Sequence, residues 1–433
     1  MKRRDFLRYT AAGVAGSMFG QSTYLAADGL DKNICIIYLR GGLDGLYSFP
    51  LHSGDAFTEL ANRRPNIHVQ PINIMIPSAI ANATQRVGLH RNWKRLVDHV
   101  GNNIRIITKC GALPFGENPN KSHFECQKIS LSGNLNLAAA KGLVGQAHNY
   151  HGLRLFNTIG IGGNPEEELD SPSILNLAGF GEYVRLGQTG NNYACTEYNK
   201  TLTATNNMLH ARDVMSQLDS LDGNEKFSTL FRNAKNAMKS SLSDVQSKIN
   251  TVSSTGDYRR YDDADVPQSV GHAGNLLRDA FKYFAAPSLG VQTRICQLSV
   301  GGWDTHEFQI NALATGLQNL AGGLRGFVED CQAAGIWNKT AVLIVTEFGR
   351  TVNENGGQGT DHGFANFHMA LSGAFSGKVI GDSFTVNDWG NTQHYFPTIS
   401  YLSTVNDLFK WAGLPLDNLI QTPFTAPSIG LFS

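Results

Sequence analysis

Apolar positions along this chain fall into two patterns. Some are short uninterrupted runs, and others recur at helical spacing. The runs are NICIIYL (Asn33 to Leu39), IRIITKC (Ile104 to Cys110), TRICQLSV (Thr293 to Val300), TAVLIVT (Thr340 to Thr346) and FHMALSG (Phe367 to Gly373). A continuous apolar run, as opposed to strict alternation, marks a strand covered on both faces. Helical spacing appears in HRNWKRLVDHV before the second run and in NLLRDAFKYFA before the third. It recurs in the long stretch 311–335 between the third and fourth runs, and in ISYLSTVNDLFKWAGL near the C-terminus, which Gly413 and Pro415 bring to a stop. Strands alternating with helices predict an α/β fold: a three-layer α/β/α sandwich with a mainly parallel sheet. In such sheets sites lie beyond the carboxyl ends of the strands. The segment 201–265 differs, because MLHARDVMSQLDSL and FSTLFRNAKNAMKSSLSDVQSKI read as amphipathic helices, and it predicts a helical insertion or cap on the sheet domain.

At 433 residues the chain is long enough for one large domain or two ordinary ones. Its 36 basic and 36 acidic residues cancel, and no long basic run appears, which argues weakly against a nucleic-acid partner. The N-terminus, MKRRDFLRYTAAGVAGSMFGQSTYLAAD, carries Arg3-Arg4 followed by Phe6-Leu7, the twin-arginine export pattern, with small residues at Ala26-Ala27 for cleavage. Its apolar stretch is shorter than the roughly 20 residues a span needs. The expectation is therefore a signal at 1–27, a mature domain at 28–433, a periplasmic or otherwise exported protein, and no stable membrane span after signal removal. None of the six cysteines sits in a CxxC pair, so a zinc ribbon is not indicated, and disulfide pairing is left open.

Three strand ends deliver carboxylates. RGGLDGL places Asp44 after the first strand, GGWDTHEF places Asp304 and His306 after the third, and Glu347 ends the fourth, with GTDHG presenting Asp361 and His362 in the glycine-rich loop beyond. Asp, Glu and His are the side chains that divalent cations use. Taken singly, Asp44 also reads as a turn aspartate, Asp304 as a helix cap and His362 as a hydrogen-bonded surface histidine. Taken together they predict a metal site. In KSHFECQKISLSG, Ser122 falls at a helix start, where backbone N–H groups favour an anion. Beside a divalent metal its hydroxyl could become a nucleophile toward phosphorus or sulfur; alternatively it caps the helix, with Glu125 completing a capping box.

LRGGLDGL, KSHFECQ, GGWDTHEFQ and VTEFGRTVNENGGQGTDHG resemble, in order and over nearly the whole chain, a bacterial family of twin-arginine-exported proteins, domain of unknown function fifteen-oh-one. That family is similar to the alkaline phosphatase and sulfatase superfamily. The resemblance implies an alkaline-phosphatase-like fold with Asp44, Asp304, His306, Glu347, Asp361 and His362 as metal ligands, Ser122 as nucleophile and Arg350 as a substrate contact. It implies a phosphate or sulfate ester hydrolase, acting on a small or polymeric anionic substrate, or else a non-catalytic binding or assembly protein with an exported protein partner. Glu347-Phe348 stands where the superfamily has an Asp-His pair, which favours one divalent ion (zinc, calcium, magnesium or manganese) over a two-zinc site. The sulfatase cysteine–proline–arginine signature is absent around Ser122 and Cys126.

Overall fold

The computed structural model describes residues 31–81, 84–112, 121–135, 142–153, 157–162, 175–177 (backbone only), 247–287, 289, 291–390, 392–420 and 423–433. The twin-arginine segment and residues 201–246 of the expected insertion lie outside them. The chain divides into two compact units. The larger comprises Ala26–Asn176, Ser254–Ala285 and Val291–Ser433, and it holds the candidate site. The smaller includes Leu177–Ser253, of which the described end is helical at 247–250.

The described elements run, in chain order, β1 (Asn33–Leu39), α1 (Gly45–Ser48), α2 (Asp55–Arg63), β2 (Ile74–Met75), β3 (Leu89–His90), α3 (Lys94–Val100), β4 (Ile104–Gly111), α4 (His123–Ser132), α5 (Leu143–Tyr150), β5 (Thr158–Ile161), β6 (Leu175–Leu177), β7 (Arg259–Tyr261), β8 (Pro267–Val270), α6 (His272–Ala285), β9 (Arg294–Val300), α7 (Gln309–Ala333), β10 (Thr340–Thr346), β11 (Asn366–Ser372), β12 (Lys378–Ile380), β13 (Ile399–Ser400) and α8 (Tyr401–Trp411). The main sheet has the order β12-β4-β11-β10-β1-β9-β5-β6, with β13 on β4. β1, β9, β10 and β5 pair in parallel, and so do β12 and β13 with β4. β11 runs antiparallel to both of its neighbours.

The five apolar runs all become sheet strands, each buried along its length. On one face, alternate residues of β1 (Ile34, Ile36, Tyr38) join a core with Ile129 and Leu131 of α4, Leu143 and Ala147 of α5, and Val405, Leu408 and Phe409 of α8. The period-2 pleat turns Cys35, Ile37 and Leu39 to the other face. There α6 packs on β9 and on α7. Helices on both faces give the three-layer α/β/α sandwich. Within the expected insertion, 259–261 is strand, because β7 pairs with β8 as a hairpin and packs against α7. Five described cysteines are buried and free. No helix of the described residues is long and apolar enough to cross a membrane.

Register sets the position of the site. Leu39 lies level with Thr346 on one side and with Val300 on the other. The loops after β1, β9 and β10 therefore leave the sheet side by side at the carboxyl edge.

Candidate metal centre

Backbone stitching brings these loops together. After β10 the chain folds back as a hairpin, with Thr351 N–H donating to the Asp361 carbonyl at 2.9 Å and Gly363 N–H to Gly349 at 2.7 Å. That hairpin then pairs with the β9 loop, through Phe308 N–H to Gly357 (2.9 Å), Gln309 N–H to Gln358 (3.1 Å) and Thr360 N–H to Thr305 (3.2 Å). Gly41, at φ +121°, lets the β1 loop lie against the same segment, since a Cβ there would stand 2.4 Å from the Asp304 nitrogen.

Asp304 sits where these loops meet. Its Oδ1 lies 3.0 Å from His306 Nε2 and 3.5 Å from His362 Nε2, and its Oδ2 lies 3.3 Å from His123 Nε2. His306 Nε2 and His362 Nε2 are 3.0 Å apart. His123, Asp304 and His362 each offer a ligand atom within 4.8 Å of the others. All three imidazoles are anchored through Nδ1. His123 Nδ1 lies 2.7 Å from Glu347 Oε1, His362 Nδ1 2.7 Å from the Lys121 carbonyl, and His306 Nδ1 3.2 Å from Asp361 Oδ1. Those oxygens can only accept, so each Nδ1 carries a proton, and a ring without a second proton turns its Nε2 lone pair inward. His123 Nε2 is buried and has no hydrogen-bond partner.

Electrostatics follow from this arrangement. The Nδ1 hydrogen bond to Glu347 raises the His123 pKa against the opposing effect of burial. Burial lowers that of His362, the Lys121 carbonyl opposes it, and Arg350 and the other two imidazoles push it further down. Burial works to raise the Asp304 pKa, but the Arg350 guanidinium with His123 and His306 outweighs it and holds the carboxylate below its usual range.

These atoms fit a metal ion. Around zinc, with ligands at about 2.0–2.1 Å, tetrahedral ligand-to-ligand edges are about 3.3 Å. The separations of Asp304 from the three rings and of His306 from His362, 3.0 to 3.5 Å, lie around that edge, and His123, Asp304 and His362 stay within 4.8 Å of one another. Three inward lone pairs and a carboxylate form a donor set that suits zinc better than calcium or magnesium, which take oxygen. Anchoring of each imidazole by a carboxylate or carbonyl is the usual support for histidine ligands.

The residues expected from sequence divide into two groups. Asp304, His306 and His362 converge. Glu347 and Asp361 come close but act one layer out. Both Glu347 oxygens are taken, Oε1 by Gly41 N–H and His123, and Oε2 by the Thr346 hydroxyl. Burial works to raise the Glu347 pKa, yet the His123 hydrogen bond, with those from the backbone and Thr346, carries it below the usual value. Asp361 Oδ1 accepts from Asn355 at 3.1 Å as well as from His306. Asn355 first, and then His306, keep its pKa low.

Asp44 does not join the cluster. It is fully buried; Oδ2 accepts from Arg64 and Gln309 at 2.7 and 2.8 Å, and Oδ1 caps α1 at Tyr47 N–H. Arg350 is likewise no substrate contact in this geometry. It is 1% exposed, and its five N–H donors are committed. Nε serves Gly42, Nη1 serves Thr360 and faces His306 Nε2 at 3.4 Å, and Nη2 serves Gly41, Trp303 and Asp304. Arg350 pins the β1, β9 and β10 loops together. Ser122 is the N-cap residue of α4, but its side chain makes no cap hydrogen bond, so the expected capping box does not form.

His123 is the candidate ligand that the sequence reading missed. It stands beside Ser122 in a motif already singled out, and the available signal was a histidine opening a helix near the expected metal site.

Residues 284–390 match the model of a family described as "Protein of unknown function (DUF1501)". That stretch contains Asp304, His306, Glu347, Arg350, Asp361 and His362, so the match bears out the resemblance read from GGWDTHEFQ and VTEFGRTVNENGGQGTDHG, while LRGGLDGL and KSHFECQ lie outside it. No curated protein matches the sequence. Solved structures similar to this chain include Ps i-CgsB (9% identity, TM-score 0.40, covering 91% of this chain and 74% of that one). Another is the lipoteichoic acid synthase LtaP from Listeria monocytogenes (9%, 0.34, 96% and 79%). A third is an alkaline phosphatase from the Antarctic bacterium TAB5 (10%, 0.30, 81% and 95%). These likenesses are loose, and the chemistry of the site rests on its own geometry.

Proposed function

We propose that this protein is an exported, divalent-metal-dependent hydrolase of phosphate or sulfate esters. The observation that carries the reading is the convergence of His123, His306 and His362 Nε2 on the Asp304 carboxylate, one residue from a serine at a helix start. His123, Asp304, His306 and His362 would hold the ion, with zinc as the first choice. A bound divalent ion supplies charge stabilisation at the ester oxygens. Glu347, Asp361 and the Lys121 carbonyl keep the three rings aimed. Ser122 offers a hydroxyl where the backbone N–H groups at the start of α4, a ten-residue helix, favour an anionic group. Asp304 and His306 side chains are 46% and 40% exposed, so the centre is open on one side to an anionic ester, small or polymeric. Purified zinc-loaded protein should hydrolyse aryl phosphates or aryl sulfates, and Ser122→Ala should abolish turnover with metal content intact. Absence of turnover in wild type and variant alike would sink the catalytic reading.

A second reading has one observation in its favour. The candidate donors are all protein side chains, and His306 together with His123, Asp304 and His362 would make the four-ligand set of a structural zinc site. The protein would then be a non-catalytic binding or assembly protein, with an exported protein partner, that keeps its metal for stability. Stoichiometric zinc with no ester turnover, and capture of a specific exported partner, would support it.

A further inference from the structure

Two of the three imidazoles share an apolar wall. Phe348, the residue after Glu347, lays its ring against both His123 and His362, with centroids 4.7 Å apart in each case and planes inclined at 37° and 39°. The two imidazoles meet edge-on at 4.3 Å, so the three rings close a triangle. Phe348 is 4% exposed, which keeps water off that side of the centre. Its own place is fixed from two directions. Asn366 Nδ2 donates to the Phe348 carbonyl at 2.8 Å. The ring lies over Gly42, at φ +69°, where a Cβ would stand 2.5 Å from Phe348 Cε2.

Anchoring at Nδ1 does not by itself aim an imidazole. One hydrogen bond fixes the place of that nitrogen, while χ2, a broad torsion, still lets the ring rock and swing Nε2. A flat apolar ring packed against it restricts that motion. Consecutive residues thus hold His123 in two ways, Glu347 at its edge and Phe348 against its side. His362 is held likewise by the Lys121 carbonyl and Phe348. We infer that Phe348 is a positioning residue of the metal centre: its ring sets the tilt of His123 and His362 and seals the centre on that side, so that both Nε2 atoms stay aimed at one ion and water does not take a ligand's place. The inference rests on the metal reading of the centre, and it holds whether the ion is catalytic or structural. An apolar shell of this kind controls solvent access to a metal.

The test compares wild type with Phe348→Leu and Phe348→Ala, and with Phe327→Leu, which alters a fully buried phenylalanine of α7 outside the centre. Zinc affinity is read by competition with a chromogenic chelator, coordination by the visible spectrum of cobalt(II)-loaded protein, and the fold by the thermal midpoint of metal-free protein. Leucine keeps an apolar side chain but loses the flat face. Phe348→Leu is expected to weaken zinc binding about tenfold or more, as loss of an outer-shell partner does, and Phe348→Ala further. The intense visible bands of four-coordinate cobalt should weaken in both, as the rings loosen and water enters. Phe327→Leu should lower the metal-free midpoint and leave zinc affinity and the cobalt spectrum as in wild type, which separates aiming of the ligands from packing of the core. Phe348→Leu decides the matter, so failure of Phe348→Ala to fold does not shield the inference. Zinc affinity and a cobalt spectrum equal to wild type in Phe348→Leu, whatever its midpoint, would reduce Phe348 to packing and overturn the inference while leaving the centre. Wild type that binds neither zinc nor cobalt removes the centre, and the role of Phe348 with it.

Discussion

His306 and His362 place their Nε2 atoms 3.0 Å apart, although the other nitrogen of each ring is already tied to an oxygen acceptor. Two inward lone pairs at that distance repel unless a proton or a metal ion lies between them. Metal removal should therefore be felt in stability. Dialysis against a chelator is expected to lower the thermal midpoint by several degrees, and one equivalent of zinc should restore it. His362→Ala, which removes one ring of the pair, should show no zinc-dependent shift. An unchanged midpoint in the chelated wild type would mean that a proton, not a metal, bridges the pair.

Glu347 acts through His123. Glu347→Gln keeps the shape but weakens the acceptor at His123 Nδ1. Zinc affinity, read by competition with a chromogenic chelator, should fall about 10- to 100-fold, as it does for outer-shell partners elsewhere. An affinity equal to wild type would show that the ring needs no anchor.

Asp44 and Arg64 are both about 1% exposed in side chain and paired at 2.7 Å. Removing one partner strands the other charge in the interior. Arg64→Ala should cost about 3–5 kcal/mol in urea unfolding. It would also release the Arg64 contacts to the carbonyls of Thr351 and Val352, which brace the β10 hairpin. A loss below about 1 kcal/mol would show that water enters to solvate Asp44.

Acid should destabilise the fold through buried histidines that are not among the candidate ligands. Burial lowers His368 to about 3, and His90 and His148 to about 4, from an ordinary 6.5. Their unfolded forms take up protons first, so the stability they contribute is complete above about pH 6.5 and drains away as pH falls toward those values. For His368 the slope is about 1.4 kcal/mol per pH unit in that window. His368→Gln should flatten the fall in the urea midpoint between pH 6 and 4.5. A slope equal to wild type would remove His368 from the account.

Phe308 holds an exposed aromatic ring in the left-handed region, φ 45°, at the N-cap of α7. Asparagine tolerates that conformation and caps helices well. Phe308→Asn should stabilise the protein by about 1 kcal/mol, seen as a higher thermal midpoint.

The sequence by itself determined the layers. NICIIYL and TAVLIVT are apolar at every position because their strands are covered on both faces, and that pattern is local. It also determined that carboxylates and histidines end those strands, which made Asp304, His306 and His362 legible as a group. Tertiary structure alone decided which of the polar residues converge on the candidate site. Asp44, Glu347 and Asp361 have the same chemistry as Asp304, but Arg64, His123 and His306 had claimed their oxygens. Those partners lie 20, 224 and 55 residues away in the chain. His123 was hidden for the same reason: nothing near it in sequence says that α4 begins opposite the end of β10. Strand propensity and burial periodicity are carried by neighbours in the chain, whereas ligand choice depends on contacts made only after the sheet has set its register.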